Sequence, residues 1–263
     1  MHNTIGTNSS YSAISGGTNN NIADNAPYRG IQGGYGNKIG TNSGYSVIGG
    51  GFFNVIASNV LTATIPGGNQ NFATNSAFAA GSFARAIHPG SFVWGDSFPA
   101  FVLSAAADSV TMRASGGYRL FSNGGATAGV SLAAGGGSWT SISDRNAKEN
   151  FAPVNAREVL EKVASLPLST WNYKSQAPAI RHIGPMAQDF KAAFGLGESD
   201  TGITGVDADG VALAAIQGLN QKLEQKETEI TELKTDNEEL KKRLEALERQ
   251  LSRLGVAEKG GER

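Results

Sequence analysis

No cysteine occurs in the 263 residues, which excludes a disulfide framework and any thiolate metal site. Acid is nearly missing from the front of the chain: before position 143 there are only Asp24, Asp96 and Asp108, and no glutamate. Glycan hydrolysis needs two carboxylates in one cleft, so an enzyme working on an external sugar finds no catalytic pair there. Histidine is sparse, and His88, a lone histidine in its stretch, reads as a turn residue; no metal cluster and no cofactor motif is expected. A run of about 18 apolar residues, the minimum for a membrane span, does not occur. The net charge of −1 gives no electrostatic case for nucleic acid or an anionic membrane. The opening MHNTIGTNSS has neither a basic start nor an apolar core and does not read as a secretory signal. It reads as the abrupt start of a repeat. The absence of cysteine suits an extracellular or virion setting.

What is abundant is glycine, 35 residues, and it is in phase with other residues. Ile14, Ile31, Ile48 and Ile65 recur every 17 positions, each followed by a glycine pair, with Asn20, Asn37, Asn54 and Asn71 six places on. Ile22, Ile39, Ile56 and then Ala73 follow eight places after, and Tyr11, Tyr28 and Tyr45 stand three before the first three isoleucines. A fixed period of inward aliphatics, corner glycines and a repeated asparagine predicts a β-solenoid whose coils must stack to bury their apolar side. A disordered linker has no reason to hold four isoleucines in phase. The tail of this stretch, AFAAGSFARAIHPGSFVWGD at 77–96, resembles the head of trimeric autotransporter adhesins, a parallel β-roll. The 17-residue coils are longer than the usual coil of that family. No residue pattern names a ligand for this head; a cell-surface glycan or receptor is the partner class it would suit.

From Phe92 to Ser138 short strand-like runs alternate with Gly-rich turns. We expect an interdigitated, β-prism-like trimeric neck over 92–142, with a small β-meander packed on the solenoid as the alternative. After it the composition becomes ordinary and charged. Helices are expected over 156–165 and 186–194, closed by Pro167 and Gly195. Strands are expected at 168–174, 181–184 and 202–206, and a turn at Asp207–Gly210. A helix then runs from Val211 with Ile216, Leu223, Ile230, Asn237, Leu244 and Leu251 at heptad a, and Leu219, Lys226, Leu233, Leu240, Leu247 and Leu254 at d. That pattern predicts a coiled coil. Opposite charges at g and the following e (Lys222 and Glu227, Glu229 and Lys234, Asp236 and Lys241, Arg243 and Glu248) specify parallel, in-register chains. Asn237 at a and Lys226 at d fix register at some cost in stability, and an a-site asparagine by itself leans towards two strands.

At the junction lies Ser141-Ile142-Ser143-Asp144-Arg145-Asn146-Ala147-Lys148-Glu149-Asn150. A serine five residues before a lysine is common by chance; it matters only if the lysine, desolvated, takes the serine's proton. The surrounding residues give it context. SDRNAKEN at 143–150, VLEKVASLPLSTWNYK at 159–174, RHIGPMAQDF at 181–190 and VDADGVALAAIQGLNQKL at 206–223 resemble, in order and spacing, the C-terminal intramolecular chaperone and auto-processing peptidase domain of phage tailspikes and endosialidases. Pro185 and Met186 depart from its usual bulkier pair. The resemblance implies a domain that trimerises its fibre and then cuts itself off, a single-turnover serine endopeptidase with Ser143 and Lys148 as the catalytic dyad. The scissile bond would lie beside Ser143, with Ile142 on its N-terminal side or the cut on the other side of the serine. Asp144, Asn146 and His182 are auxiliary candidates. The resemblances imply a homotrimer on a virion tail fibre or a bacterial surface. The alternative is a purely structural or adhesive fibre whose chaperone domain never cuts. The expected organisation is a β-solenoid head (1–91), a neck (92–142), a small α+β chaperone domain (143–210), a coiled coil (211–255) and a disordered tail (256–263).

Overall fold

The computed structural model describes residues 2–259, with side chains through 252. The chain divides into two compact units, one ending at Ala147 and the other starting at Lys148.

The first unit is a parallel β-solenoid. Its strands are β1 (Thr4–Ile5), β2 (Ala13–Ile14), β3 (Asn21–Ile22), β4 (Gly30–Ile31), β5 (Lys38–Ile39), β6 (Val47–Ile48) and β7 (Val55–Ile56). They continue with β8 (Thr64–Ile65), β9 (Phe72–Ala73), β10 (Phe78–Gly81), β11 (Ala84–Ala86), β12 (Phe92–Gly95), β13 (Val102–Leu103) and β14 (Val110–Arg113). Odd-numbered strands stack into one seven-stranded sheet and even-numbered strands into a second. The pairing register places isoleucine on isoleucine: Ile14, Ile31, Ile48 and Ile65 form one column. Ile5, Ile22, Ile39 and Ile56 form the other, continued by Ala73 and Ala86. Six of these isoleucines are essentially inaccessible, and each such side chain contributes about 1.5–3 kcal/mol of burial.

The asparagines run beside this core as a hydrogen-bonded ladder. Asn37 N donates to Asn20 Oδ1 (3.1 Å), Asn54 N to Asn37 Oδ1 (3.0 Å) and Asn71 N to Asn54 Oδ1 (2.9 Å). Each Nδ2 donates to a glycine carbonyl of its own coil and to one of the next; for Asn54 these are Gly50 O and Gly68 O, both 2.9 Å. Buried amides are tolerated because every donor and acceptor is matched. The second glycine of the pair after each even-numbered strand from β2 to β8 sits where a side chain has no room: a Cβ on Gly34 (φ 87°) would stand 2.1 Å from Gly51 O. Tyr11, Tyr28 and Tyr45 stack at 5.0 and 5.2 Å in the left-handed region of backbone space.

The coil shortens where isoleucine gives way to alanine. Phe72 pairs with Arg85, and Phe78 with Phe92. These partners are nearer in sequence than those of the earlier coils, because a core of Ala73, Ala77, Ala79, Ala84 and Ala86 needs less chain to enclose it. The loop between paired strands then lengthens again for Ala84 with Val102 and Phe92 with Val110. The solenoid therefore does not stop at residue 91. β12, β13 and β14, expected to open a neck, are its last strands. Their final turn is held by Asp96, which accepts from Arg113 Nε (2.7 Å) and Ser115 N (2.7 Å). The Arg113 terminal nitrogens donate to Ala100 O (2.6 Å) and Phe98 O (2.7 Å).

Within 92–142, only 118–141 forms a separate sheet, the antiparallel meander β15 (Tyr118–Phe121), β16 (Gly129–Leu132) and β17 (Thr140–Ser141). Within one chain it has the topology of the alternative reading. Leu120, Phe121 and Trp139 remain exposed on it.

The second unit holds α1 (Ala156–Ser165), β18 (Ser169–Trp171), β19 (His182–Gly184), α2 (Ala187–Phe194) and α3 (Gly205–Lys259). β18 and β19 pair antiparallel across the expected loop. Asn155 caps α1 through Glu158 N, and Gly195, left-handed at φ 68°, closes α2. The strand expected at 202–206 and the turn at 207–210 do not form; the helix starts there instead. Thr204 Oγ1 accepts from Asp207 N (3.1 Å) and donates to Asp207 Oδ2 (2.8 Å), a reciprocal cap of the kind that starts a helix. The helix continues to Lys259. The tail expected over 256–263 falls on side chains, and from 260 on backbone, outside the described residues, as does the Leu254 side chain. α1 packs on α3 through Val211, Ala215 and Gly218, one face of the helix; a Cβ on Gly218 would stand 2.2 Å from Ala156 O. No helix among the described residues is long and apolar enough to cross a membrane.

Candidate functional site

The meander delivers the junction. β17 pairs with β16, and Ile142 N donates to Gly129 O (3.0 Å), so the Ile142–Ser143 bond leaves the end of a hydrogen-bonded strand. Ile142 is half-buried and Ser143 is exposed. A single 3-10 turn, Arg145–Ala147, follows. Asp144 Oδ1 accepts from Asn146 N (2.9 Å) and Asn146 Nδ2 (3.2 Å), and Asp144 O accepts from Ala147 N (3.1 Å). Of the sequence-derived candidates, Asp144 and Asn146 are thus brought together, as the cap of this turn.

Lys148 opens the second unit and is exposed. His182 belongs to that unit too, on β19. Its Nε2 lies 3.0 Å from Gln176 Oε1, and its ring packs against Trp171 (4.8 Å) and Tyr173 (5.7 Å). Arg181 Nη2 ties this loop to Thr170 through the carbonyl (2.7 Å) and the hydroxyl (2.8 Å). Gln176 was not singled out from the sequence. The signal for the cluster was the Trp-x-Tyr alternation of 171 and 173, which puts both rings on one side of an extended segment. The Trp171 Nε1 group is buried without a hydrogen-bond partner among the described residues.

Residues 143–195 match the family model described as chaperone of endosialidase. No curated protein and no solved structure matches the chain. The chaperone-of-endosialidase match begins at Ser143 itself and includes Lys148, α1, both strands of the small sheet, His182 and α2. It ends before α3, so the resemblance of 206–223 to that domain rests on the sequence motif alone.

Beyond the matched chaperone segment, α3 carries an open apolar stripe. Ile216, Leu219, Leu223, Ile230, Leu233, Leu240, Leu244, Leu247 and Leu251 are each between 50% and 67% exposed. They lie on a different face from Val211, Ala215 and Gly218, which α1 covers. In the single chain, several of the charges expected to pair between chains pair within the helix: Lys226 with Glu229 (2.6 Å), Lys241 with Glu238 (3.6 Å) and Arg243 with Glu239 (2.5 Å). Asn237 Nδ2 donates to Leu233 O (3.1 Å).

Proposed function

We propose that this chain is one subunit of a homotrimeric fibre, of the phage-tail or bacterial-surface kind, whose C-terminal unit assembles first and sets the register of the solenoid. The observation that carries this reading is the α3 stripe. A helix with nine exposed Leu and Ile at heptad spacing is not stable as a lone surface element and needs partner helices. Repetitive β-coils gain from such a template, because their contacts are non-local, form slowly and fit equally well one coil out of step. In this reading three α3 helices form a parallel coiled coil, the exposed aromatic residues of the meander meet those of neighbouring chains, and the head engages a cell-surface glycan or receptor.

The same proposal assigns self-cleavage to Ser143. Its Oγ attacks the Ile142 carbonyl, and Lys148 takes the hydroxyl proton and hands it to the departing Ser143 amine. The Ile142 acyl group is then held as an ester on Oγ until water opens it, leaving an Ile142 carboxylate and a chain beginning with Ser143. Asp144 and Asn146 shape the turn, and His182 is an auxiliary group. Both Ser143 and Lys148 are exposed in the single chain, so enclosure on assembly is what would activate the pair. That exposure also favours a second reading, in which the chaperone domain folds and trimerises but leaves the chain whole. Intact-mass measurement with denaturing gels on wild type, Ser143→Ala and Lys148→Ala separates the two. Fragments 1–142 and 143–263 from wild type alone support the dyad. Fragments from all three rule it out, and intact wild type leaves the structural reading. A monomer by light scattering would overturn the trimer itself.

A further inference from the structure

One corner of the solenoid carries a cavity that nothing above uses. It measures about 320 Å³ and is lined by Phe52, Phe53, Gln70, Phe72 and Arg85, with Val55 and Asn71 behind. That is the lower end of the range for small-molecule pockets.

Arg85 is the unusual member. Its guanidinium lies 4.0 Å from the centre of the Phe101 ring and 5.5 Å from that of Phe72. Ring faces hold a guanidinium by its π surface and leave the in-plane N–H groups unused. Those groups have no hydrogen-bond acceptor among the described residues, and Nε is buried without a partner. The other well-placed arginines of this unit use their terminal nitrogens: Arg113 has Asp96 and two carbonyls, and Arg29, whose Nε is likewise unmatched among the described residues, donates to Gly40 O (2.8 Å) and Asn25 O (3.5 Å). A buried donor left unmatched is costly, and a planar fork fixed between rings is preorganised for a carboxylate.

One further polar group that lines the cavity is unmatched: the Gln70 side chain makes no hydrogen bond among the described residues. The cavity therefore offers a cation and an amide against phenylalanine rings. An acid with hydroxyl groups and an apolar ring face satisfies both at once.

We propose that this cavity binds the carboxylate of an acidic monosaccharide unit, a hexuronate, with Arg85 forked on the carboxylate and the sugar ring seated on Phe52, Phe53 and Phe72. The Gln70 amide takes a ring hydroxyl.

The test is ligand-observed NMR and calorimetry on the full chain with sodium D-glucuronate, D-glucose and sodium acetate. Saturable glucuronate binding is expected, at least tenfold tighter than either glucose or acetate. Arg85→Met keeps the stem between the rings and removes the donors, and should weaken binding at least tenfold. Phe53→Ala keeps Arg85 and removes a wall, and should weaken it several-fold. Thermal melts of each variant accompany the titrations, and the Phe53→Ala result decides the matter if Arg85→Met does not fold. The proposal is overturned if wild type does not bind glucuronate. It is equally overturned if acetate binds as well as glucuronate, or if a folded variant binds like wild type.

Discussion

Replacing Asn54 by alanine tests the ladder that organises the head. Three hydrogen bonds disappear: those from Nδ2 to Gly50 O and Gly68 O, and that from Asn71 N to Oδ1. Gly68 O keeps its bond from Phe52 N (2.9 Å). Gly50 O and Asn71 N lose these partners inside a region closed to water, since Gly50, Asn54 and Asn71 are all buried. Each buried backbone group left unmatched costs about 1–3 kcal/mol, so the expected loss is about 2–6 kcal/mol. Asn54→Asp separates shape from hydrogen bonding. The carboxylate keeps the acceptor for Asn71 N but turns an oxygen towards two carbonyls, and should be at least as damaging at neutral pH. Acid that protonates it should restore part of the loss, since one oxygen can then donate. As control, Asn42→Gly removes only an exposed bond to Asn59 (3.1 Å) and suits the left-handed backbone there (φ 52°); it should change stability by no more than about 0.5 kcal/mol. Guanidinium unfolding followed by circular dichroism, at one fixed chain concentration because the proposed assembly would contribute to stability, reads all three. If Asn54→Ala unfolds with Asn42→Gly, the ladder is decoration and the argument fails.

The Asp96 carboxyl is held below the usual carboxylate range by hydrogen bonds from the side chain and amide of Ser115 and from Arg113. Its folded value is depressed, so its contribution is complete above about pH 4, the ordinary aspartate value, and is lost as pH falls through the folded value. The thermal midpoint of Asp96→Asn should thus differ from wild type at pH 6 and converge with it in strong acid. Gly218→Ala places a methyl against Ala156 O and Leu160 and should cost about 1–3 kcal/mol, seen as earlier melting of the helical signal. Leu240→Glu puts a charge in the middle of the open stripe of α3, and light scattering should show assembly lost while the helix content of the monomer falls.

The solenoid was legible because its period is carried by residues with one job each: isoleucine inside, asparagine on the ladder, glycine at the contact with the next coil. It became illegible where those markers changed. Beyond Ala73 the core is alanine and valine, the spacing first shortens and then lengthens, and β12 to β14 look like free-standing strands although they finish the two sheets. The start of α3 was misread for a local reason. Gly202, Gly205 and Gly210 look like turn residues, and the Thr204–Asp207 cap outweighs them. At the junction, Ser143 and Lys148 were singled out through a family motif, and both lie within the matched segment 143–195; their proposed role awaits the cleavage assay. The contacts of His182 with Gln176, Trp171 and Tyr173 depend on a loop closing between two strands, which no spacing rule contains. The cavity at Arg85 was equally invisible, because Phe52 and Arg85 meet only once coils far apart in sequence are stacked.

Each asparagine from Asn20 to Asn54 makes the same bonds to the next coil, so the ladder does not mark its coils as first, middle or last, although the buried Arg29 marks its own. Deleting or duplicating one repeat unit between Ile31 and Ile65 would leave the ladder itself in register. The head can thus change its reach by whole steps through recombination within the gene, without new residues having to be selected.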